Sequence, residues 1–417
     1  MSTNHVTQLQ VLCEGVIVGR LHVGPGRADI TFQYDTAWLE SGFDLAPHSM
    51  AFNATPQIAA SPMFQGLHGV FSASLPDGWG QLLMDREFKQ RCDWHPHEIH
   101  PLDRLAYIGA RGMGALEYRP ATDTDVANLV DLTSMVNAVD HLVAGEQSAV
   151  INQLRIQGGS PGGARPKVTV ARSRHTQQVL SGFHPLPPNY EHWLVKFRSR
   201  QDPPDMGCIE MAYADMARCA GVEMPDTELI AVPTLGSDGD TVTDYFFSVR
   251  RFDRHGNRKV HMIALDAILY ADYRIPSLDY ETVLGVTQRY TQSIQEVEKA
   301  FRLACFNVLA HNRDDHAKNF AMLYSDGAWK LAPGFDLTFS TGMGNEQTTS
   351  VLGNGKPGYQ SLVQLAEVFA IKKSVAGAVI EQVSSAVNRW NEFAEKNGVT
   401  AASASMIEAA LGNLKKR

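Results

Sequence analysis

The densest run of reactive side chains in the 417-residue chain is His311-Asn312-Arg313-Asp314-Asp315-His316-Ala317-Lys318-Asn319. Asp314 and Asn319 stand five apart within it. At that spacing in a phosphoryl-transfer loop, the Asp accepts the proton of an attacking hydroxyl and the Asn holds Mg2+. Arg313 precedes the Asp, as an arginine does in such loops. Seventeen residues past Asn319, the segment Pro333-Gly334-Phe335-Asp336-Leu337 offers a second carboxylate, Asp336, after a hairpin predicted from the turn Ser325-Asp326-Gly327. Mg2+ takes hard oxygen ligands and borrows phosphate oxygens, so one Asn carbonyl and one carboxylate suffice. A charged run after a core helix can also be a plain solvated turn; the spacing, the arginine and Asp336 together favour chemistry. His311 and His316 have no third ligand at helical spacing, which argues against zinc. His316 can instead donate to a phosphate or orient the loop.

Phosphates need a cradle and a cation. The loop Gln157-Gly158-Gly159-Ser160-Pro161-Gly162-Gly163 is neither a Walker A sequence nor Gly-x-Gly-x-x-Gly, and it could be only a flexible surface loop. Its glycines nonetheless let backbone N–H groups approach phosphate oxygens. Ser160, inside it, would lie near a γ-phosphate and is a natural self-modification site. Lys196 sits on an apolar strand beside Trp193, Val195 and Phe197. It reads either as an edge lysine with a snorkelling stem or as the lysine that neutralises α/β-phosphates. Glu210 is the nearest helical carboxylate to pair with it, or else an ordinary surface residue. Arg250-Arg251-Phe252-Asp253-Arg254 follows another strand, where a hinge between lobes would present backbone groups to adenine.

The surrounding pattern explains how such residues could be positioned. Alternation at Leu9/Val11/Cys13, Val16/Val18, Leu21/Val23 and Ile30/Phe32/Tyr34 predicts a β-rich first part, punctuated by glycine turns. Leu75-Pro76-Asp77-Gly78-Trp79-Gly80 reads as a tight turn entering a helix-like run from Gln81 to Arg86. Strands are expected at Lys167–Ala171, His192–Phe197 and Asp244–Val249, with a helix from about Ile209 to Cys219 between the last two. Beyond residue 255 helices dominate; Ile294, Val297, Phe301, Ala304 and Val308 recur at helical spacing and are expected on one buried face. A glycine loop, a strand, a strand with a lysine, a helix, a strand to a linker and a helical half follow the order of a two-lobed kinase. The expected fold class is α+β, with parts at 1–121, 122–254 and 255–417.

Composition bounds the alternatives. Hydrophobic residues make up 44% and charged residues 20%, the balance of a folded protein rather than a disordered chain. The net charge of −8 argues against nucleic acid as the direct ligand, because phosphate-backbone binding needs clustered Lys and Arg. The five cysteines form no CxxC pair and predict no disulfide framework. No apolar run approaches the ~18–20 residues of a membrane span, and the N-terminus lacks a signal-peptide pattern, so the expected location is cytoplasmic with no membrane partner.

Over nearly its whole length the sequence resembles the HipA-type toxin kinases, serine/threonine kinases of bacterial type II toxin–antitoxin modules. Leu75 to Gly80 and Gly112-Met113-Gly114-Ala115-Leu116 resemble the family's N-terminal subdomain, and Ser160 to Lys167 its phosphate loop. Arg251-Phe252-Asp253-Arg254 resembles the hinge, while Asn307–Phe320 with Phe335-Asp336 resembles the catalytic and metal-binding segments. The resemblance implies a HipA-like, two-lobed protein-kinase-like fold with a β-rich N-terminal subdomain and a helical C-terminal lobe. It implies Asp314 as catalytic base and Asn319 and Asp336 as Mg2+ ligands. ATP contacts are implied for Gly162, Gly163, Ala164, Arg165, Lys167, Lys196, Arg250, Arg251, Phe252, His316, Lys318, Asn319, Phe335 and Asp336. Ser160 falls where the family autophosphorylates and so switches off. The implied partner is a helix-turn-helix antitoxin of the HipB type, with operator DNA reached only through it, and the implied substrate is a protein such as an aminoacyl-tRNA synthetase. Arg165-Pro166 stands where the founding members have Gln-Glu, and Arg250 where they have Glu; proline removes one backbone donor from the cradle. The alternatives are a catalytically weak kinase-fold regulator that binds an antitoxin or nucleotide, and a small-molecule phosphotransferase.

Overall fold

The computed structural model describes residues 4–24, 29–122, 129–143, 163, 165–176, 178–199, 202–235 and 241–412. The early alternation forms an antiparallel five-stranded sheet of β1 (Gln8–Cys13), β2 (Val16–Val23), β3 (Ile30–Tyr34), β4 (Gln57–Ile58) and β5 (Leu116–Arg119). Its strand order is β4-β3-β2-β1-β5. Glu14 and Gly15, both at positive φ (51° and 82°), make the two-residue β1–β2 turn whose twist matches the strands. Leu9, Val11, Val18, Leu21, Ile30, Phe32 and Tyr34 point inward and are buried. The first part is not purely β: the helices Gly78–Cys92 and Pro101–Ile108 belong to it, and every residue of the latter is buried.

A second antiparallel sheet follows, of β6 (Lys167–Ser173), β7 (Val179–Ser181), β8 (Tyr190–Lys196), β9 (Thr227–Leu235) and β10 (Thr241–Arg250), in the order β7-β6-β8-β10-β9. The three expected strands are β6, β8 and β10; β7 and β9 are the two the sequence pattern conceals. The helix Met206–Cys219 lies so close over β10 that a Cβ on Gly207 would stand 2.2 Å from the Tyr245 carbonyl oxygen. Glycine there lets the helix carry Glu210 to the sheet.

Helices Tyr280–Thr291, Ile294–Leu309, Tyr359–Val368, Lys373–Asn388, Trp390–Lys396 and Ala401–Gly412 dominate the remainder. Val297, Phe301, Ala304 and Val308 are buried as the periodicity predicts, but Ile294 is 44% exposed. It occupies the first turn, directly after the cap Ser293, before the helix has entered the core. The expected hairpin joins strands Ala321–Ser325 and Ala328–Leu331 through Asp326 and Gly327, and it pairs with His261–Ala264 in a three-stranded sheet. The chain is thus α+β. Among the described residues, no helix is long and apolar enough to cross a membrane.

Candidate active site

Two strand ends and one helix build the cationic end of the site. β6 and β8 pair in a register that sets Lys167 opposite Lys196. The Lys196 ammonium lies 3.1 Å from Glu210 Oε1 and also ion-pairs with the Asp336 carboxylate. Lys196 and Glu210 are buried, so these charges are largely removed from water and compensate one another. Arg165 adds a second cation: it lies 3.3 Å from Glu210 Oε1 and 3.0 Å from Asp202. Burial pushes the Asp336 carboxyl up, but Lys196, Lys167 and Arg165 together hold it well below the usual carboxylate range. Burial depresses the Lys196 ammonium, yet Asp336 and Glu210 carry it above the ordinary lysine value. Lys167, also buried, moves the other way: desolvation lowers it, and the Asp336 charge only partly restores it. Asp336 reaches this cluster from a left-handed backbone (φ 57°), a conformation that Asp and Asn tolerate better than most residues.

The helix Ile294–Leu309 delivers the polar run to the same place. The chain reverses at His311 (φ 52°) and passes through Asp314 to a single 3-10 turn, Ala317–Asn319. Asn319 Nδ2 donates to the Asp314 carbonyl oxygen at 2.7 Å, which fixes the amide and leaves its Oδ1 as the acceptor end available to a cation. The Asp314 carboxylate is 64% exposed, with His316 Nε2 3.9 Å away. Desolvation by its surroundings raises the Asp314 carboxyl; His316 opposes the shift and the nearby Asp336 charge adds to it. Asp314, Asn319, Asp336 and Lys196 therefore gather at one locus. The Asp314 carboxyl thus lies within electrostatic reach of Lys196, Arg165 and Asp336.

The other expected contacts fall into three groups. Phe252 and Phe335 come together, ring centroids 5.4 Å apart, so the linker after β10 touches the segment that carries Asp336. Arg250 and Arg251 are not aimed at this cluster. Arg250 pairs with Glu191 (3.1 Å) and Asp226 (3.0 Å), and buried Arg251 chelates Asp253 at 2.9 and 2.7 Å. Lys318 pairs with Asp77 at 2.8 Å and lies 4.5 Å from the centroid of the Tyr273 ring. Ser160, Gly162 and Ala164 lie outside the described residues; of the glycine-rich stretch, Gly163 donates its N–H to Asp77 and accepts from Trp79 N at 3.0 Å.

Asp77 and Asp253 are the two residues that motif reading passed over. Asp77 stands at the N-cap position of the helix Gly78–Cys92, yet its carboxylate makes no capping bond. It turns instead to Gly163 and Lys318; burial alone would raise it, but Lys318 and the Gly163 N–H bring it down to about 2. Asp253 accepts from Arg251, Arg254 (2.7 Å) and Gly114 N (2.7 Å), and Arg254 reaches the Gly112 and Gly114 carbonyls, each at 2.9 Å. The first sheet's module is thereby fastened to the linker after β10. Burial works against the Asp253 charge, but its two arginines hold it well below the usual range.

A small sheet-and-helix half joined to a helical half, with Lys, Glu, Asp and an Asp-x4-Asn loop at the junction, defines a protein-kinase-like fold class. Residues 159–390 match the HipA-like C-terminal domain and residues 9–119 match the HipA N-terminal domain, so the chain belongs to the HipA family. A curated relative, "Putative kinase Y4dM" of Sinorhizobium fredii, is 28% identical over 153 residues, 35% of this chain. That alignment spans 36% of the relative's length. HipA of Shewanella oneidensis MR-1, solved in complex with HipB and its operator DNA, superposes with a TM-score of 0.68 at 13% identity, over 97% of this chain and 95% of that one. The fold is therefore the two-lobed HipA-like one, with a β-rich N-terminal part and a helical C-terminal lobe.

Proposed function

We propose that this protein is an ATP- and Mg2+-dependent kinase that phosphorylates serine or threonine in a protein, acting as the toxin of a HipBA-like module. The observation that supports this most is Lys196, clasped between Glu210 and Asp336 at the locus where Asn319 and Asp314 emerge from their loop. ATP would supply the phosphoryl group, and Mg2+ would neutralise charge on its β- and γ-oxygens. In this reading Asp314 takes the proton from the incoming hydroxyl, and Asn319 Oδ1 and Asp336 hold the metal. Lys196, with Lys167 behind it, draws the α/β-phosphates into place. Gly163 and Arg165 border the phosphates, His316 and Lys318 flank the base, and Phe252 with Phe335 lies on the adenine side.

The Shewanella relative assembles with HipB and operator DNA, which supports a helix-turn-helix antitoxin partner here, with DNA reached through that partner. A translation-related protein, such as an aminoacyl-tRNA synthetase, is the proposed substrate, and Ser160 the proposed self-modification site. Labelling with γ-labelled ATP, wild type against Asp314→Ala, tests the reading. Transfer to protein should be lost in the variant, and equal labelling of both would refute the kinase assignment. Ser160→Ala should lose self-labelling while keeping transfer in trans; undiminished self-labelling would place the site elsewhere.

A further inference from the structure

Directly after the proposed base lies a carboxylate that the phosphotransfer reading leaves without a role. Asp315 is fully buried, and four neutral donors meet its carboxylate. Its Oδ2 accepts from Tyr280 Oη at 2.7 Å and Gln347 Nε2 at 3.0 Å, and its Oδ1 accepts from Thr348 N at 3.0 Å and Thr349 N at 3.1 Å. The donors are themselves linked into a ring. Asn307 Nδ2 donates to Tyr280 Oη (2.9 Å), Asn312 Nδ2 to Asn307 Oδ1 (2.9 Å), and Gln347 Nε2 also to the Asn312 carbonyl (3.1 Å). The circuit therefore runs from Asp315 through the helices Tyr280–Thr291 and Ile294–Leu309 and back through the 347–349 segment.

The same segment grips the backbone on both sides of Asp314. Thr348 Oγ1 donates to the Arg313 carbonyl at 2.7 Å, and Thr349 Oγ1 donates to the Asp315 carbonyl. Thr348 and Thr349 are held in position to do this because their N–H groups are bound by the Asp315 carboxylate. We propose that Asp315 is a positioning residue for phosphoryl transfer: its buried charge seats the 347–349 segment, which in turn fixes the two carbonyls flanking Asp314 and hence the direction of the base. A neutral residue at 315 would leave four donors competing for fewer acceptors and would release that frame. Among the described residues, Lys196, Glu210 and Asp336 show no hydrogen bond to this ring, so the effect is expected chiefly in the chemical step, with Asn319 reached only through its bond to the Asp314 carbonyl.

The inference rests on the phosphotransfer reading, and its test separates the two. Asp315→Asn keeps the side chain's shape; Thr349→Val keeps the backbone N–H bond and removes only the hydroxyl that grips the Asp315 carbonyl. A base misplaced by an ångström costs on the order of 100-fold, so Asp315→Asn should lower kcat by about that factor and Thr349→Val by about 10-fold. KM for ATP should stay within about twofold in both, because uniform nucleotide binding is untouched. Amide exchange at Thr348 and Thr349 should speed up by about 10-fold in Asp315→Asn, a readout that needs no turnover. A wild type without Asp314-dependent transfer removes the reading on which the inference rests. A transferring wild type whose Asp315→Asn variant keeps its kcat, or raises KM for ATP in step with a fall in kcat, overturns the inference and leaves the reading standing. Should Asp315→Asn fail to fold, Thr349→Val decides by the same kcat and KM criteria.

Discussion

Lys196→Met is the sharpest test of the charge cluster. The substitution keeps the length of the apolar stem and deletes the ammonium that Glu210 and Asp336 share. Removing one partner of a buried pair typically costs about 3–5 kcal/mol, because a charge is left uncompensated. Two features reduce that figure here. The Asp336 side chain is 33% exposed, so water recovers part of the loss, and Arg165 remains 3.3 Å from Glu210. The net destabilisation should be about 2–3 kcal/mol at pH 7, read from urea unfolding followed by circular dichroism. Its pH dependence has a defined sign. In the wild type the folded-state Asp336 is held below its unfolded value, so it contributes stability that is full above the unfolded carboxylate pKa and lost as pH falls. Without Lys196 most of that contribution disappears, so the gap between wild type and variant should be widest above about pH 5 and should close only well below about pH 4, as the depressed folded-state carboxyl is finally protonated. A gap under about 0.5 kcal/mol at pH 7, or one that does not narrow between about pH 5 and about pH 2, would mean that Lys196 does not compensate these carboxylates.

Asp336→Asn keeps a residue suited to the left-handed backbone while removing one anionic ligand, so it should weaken Mg2+-ATP binding with little loss of fold; an unchanged Mg2+ dependence in an ATP titration would take Asp336 out of the metal site. Burial lowers His68 and His261 to about 4 and His192 to about 3. Each is neutral when folded and charged when unfolded below about pH 6.5, so each contributes stability that is lost as pH falls. Asp315, raised by burial to about 6, works in the opposite sense. Asp44, Asp266 and Asp314, also raised by burial, work with Asp315, so the histidine share is read by difference: His192→Phe should make the loss between pH 6 and pH 5 smaller by about 1 kcal/mol, and an unchanged pH dependence would contradict it.

How much of the fold the sequence reveals depends on where the information lies. β3 alternates cleanly, so its facing is written in the pattern, whereas β1 and β2 shift register at Val11/Leu12, which leaves Leu12 and Cys13 both buried and Val16 exposed. Strand β9 was hidden because Thr227–Leu235 contains Pro233 and lies on the sheet edge, where proline is tolerated and periodicity is weak. The Asp-x4-Asn run and Asp336 stand out because residue type and spacing are visible in the sequence itself. The partner of Lys196 was only one option among helical carboxylates, since a helix position does not reveal its distance from a strand. Arg250 and Arg251 show a related limit: adjacency to the linker is a property of sequence, but the carboxylates that hold their side chains, Glu191, Asp226 and Asp253, come from the fold. Asp77 looked like a turn residue because its Pro-Asp-Gly setting is a turn; its bonds to Gly163 and Lys318 span 86 and 241 residues.

Those two long-range carboxylates also explain why the N-terminal module is part of the site and not an appendage. Asp253 fixes it from the hinge side through two arginines and the Gly112 and Gly114 backbone, with the Asp253 carboxylate fully buried. A third tie is steric: a Cβ on Gly69 would stand 1.9 Å from the Ala267 carbonyl, so the module meets the helical lobe backbone to backbone. Asp77 then reaches from that anchored module to Gly163 and to Lys318 of the Asp314–Asn319 loop at once, so a displacement of either is coupled to the module through one carboxylate. The Asp253 contact holds the module at the linker, and the Asp77 contact ties it to both segments.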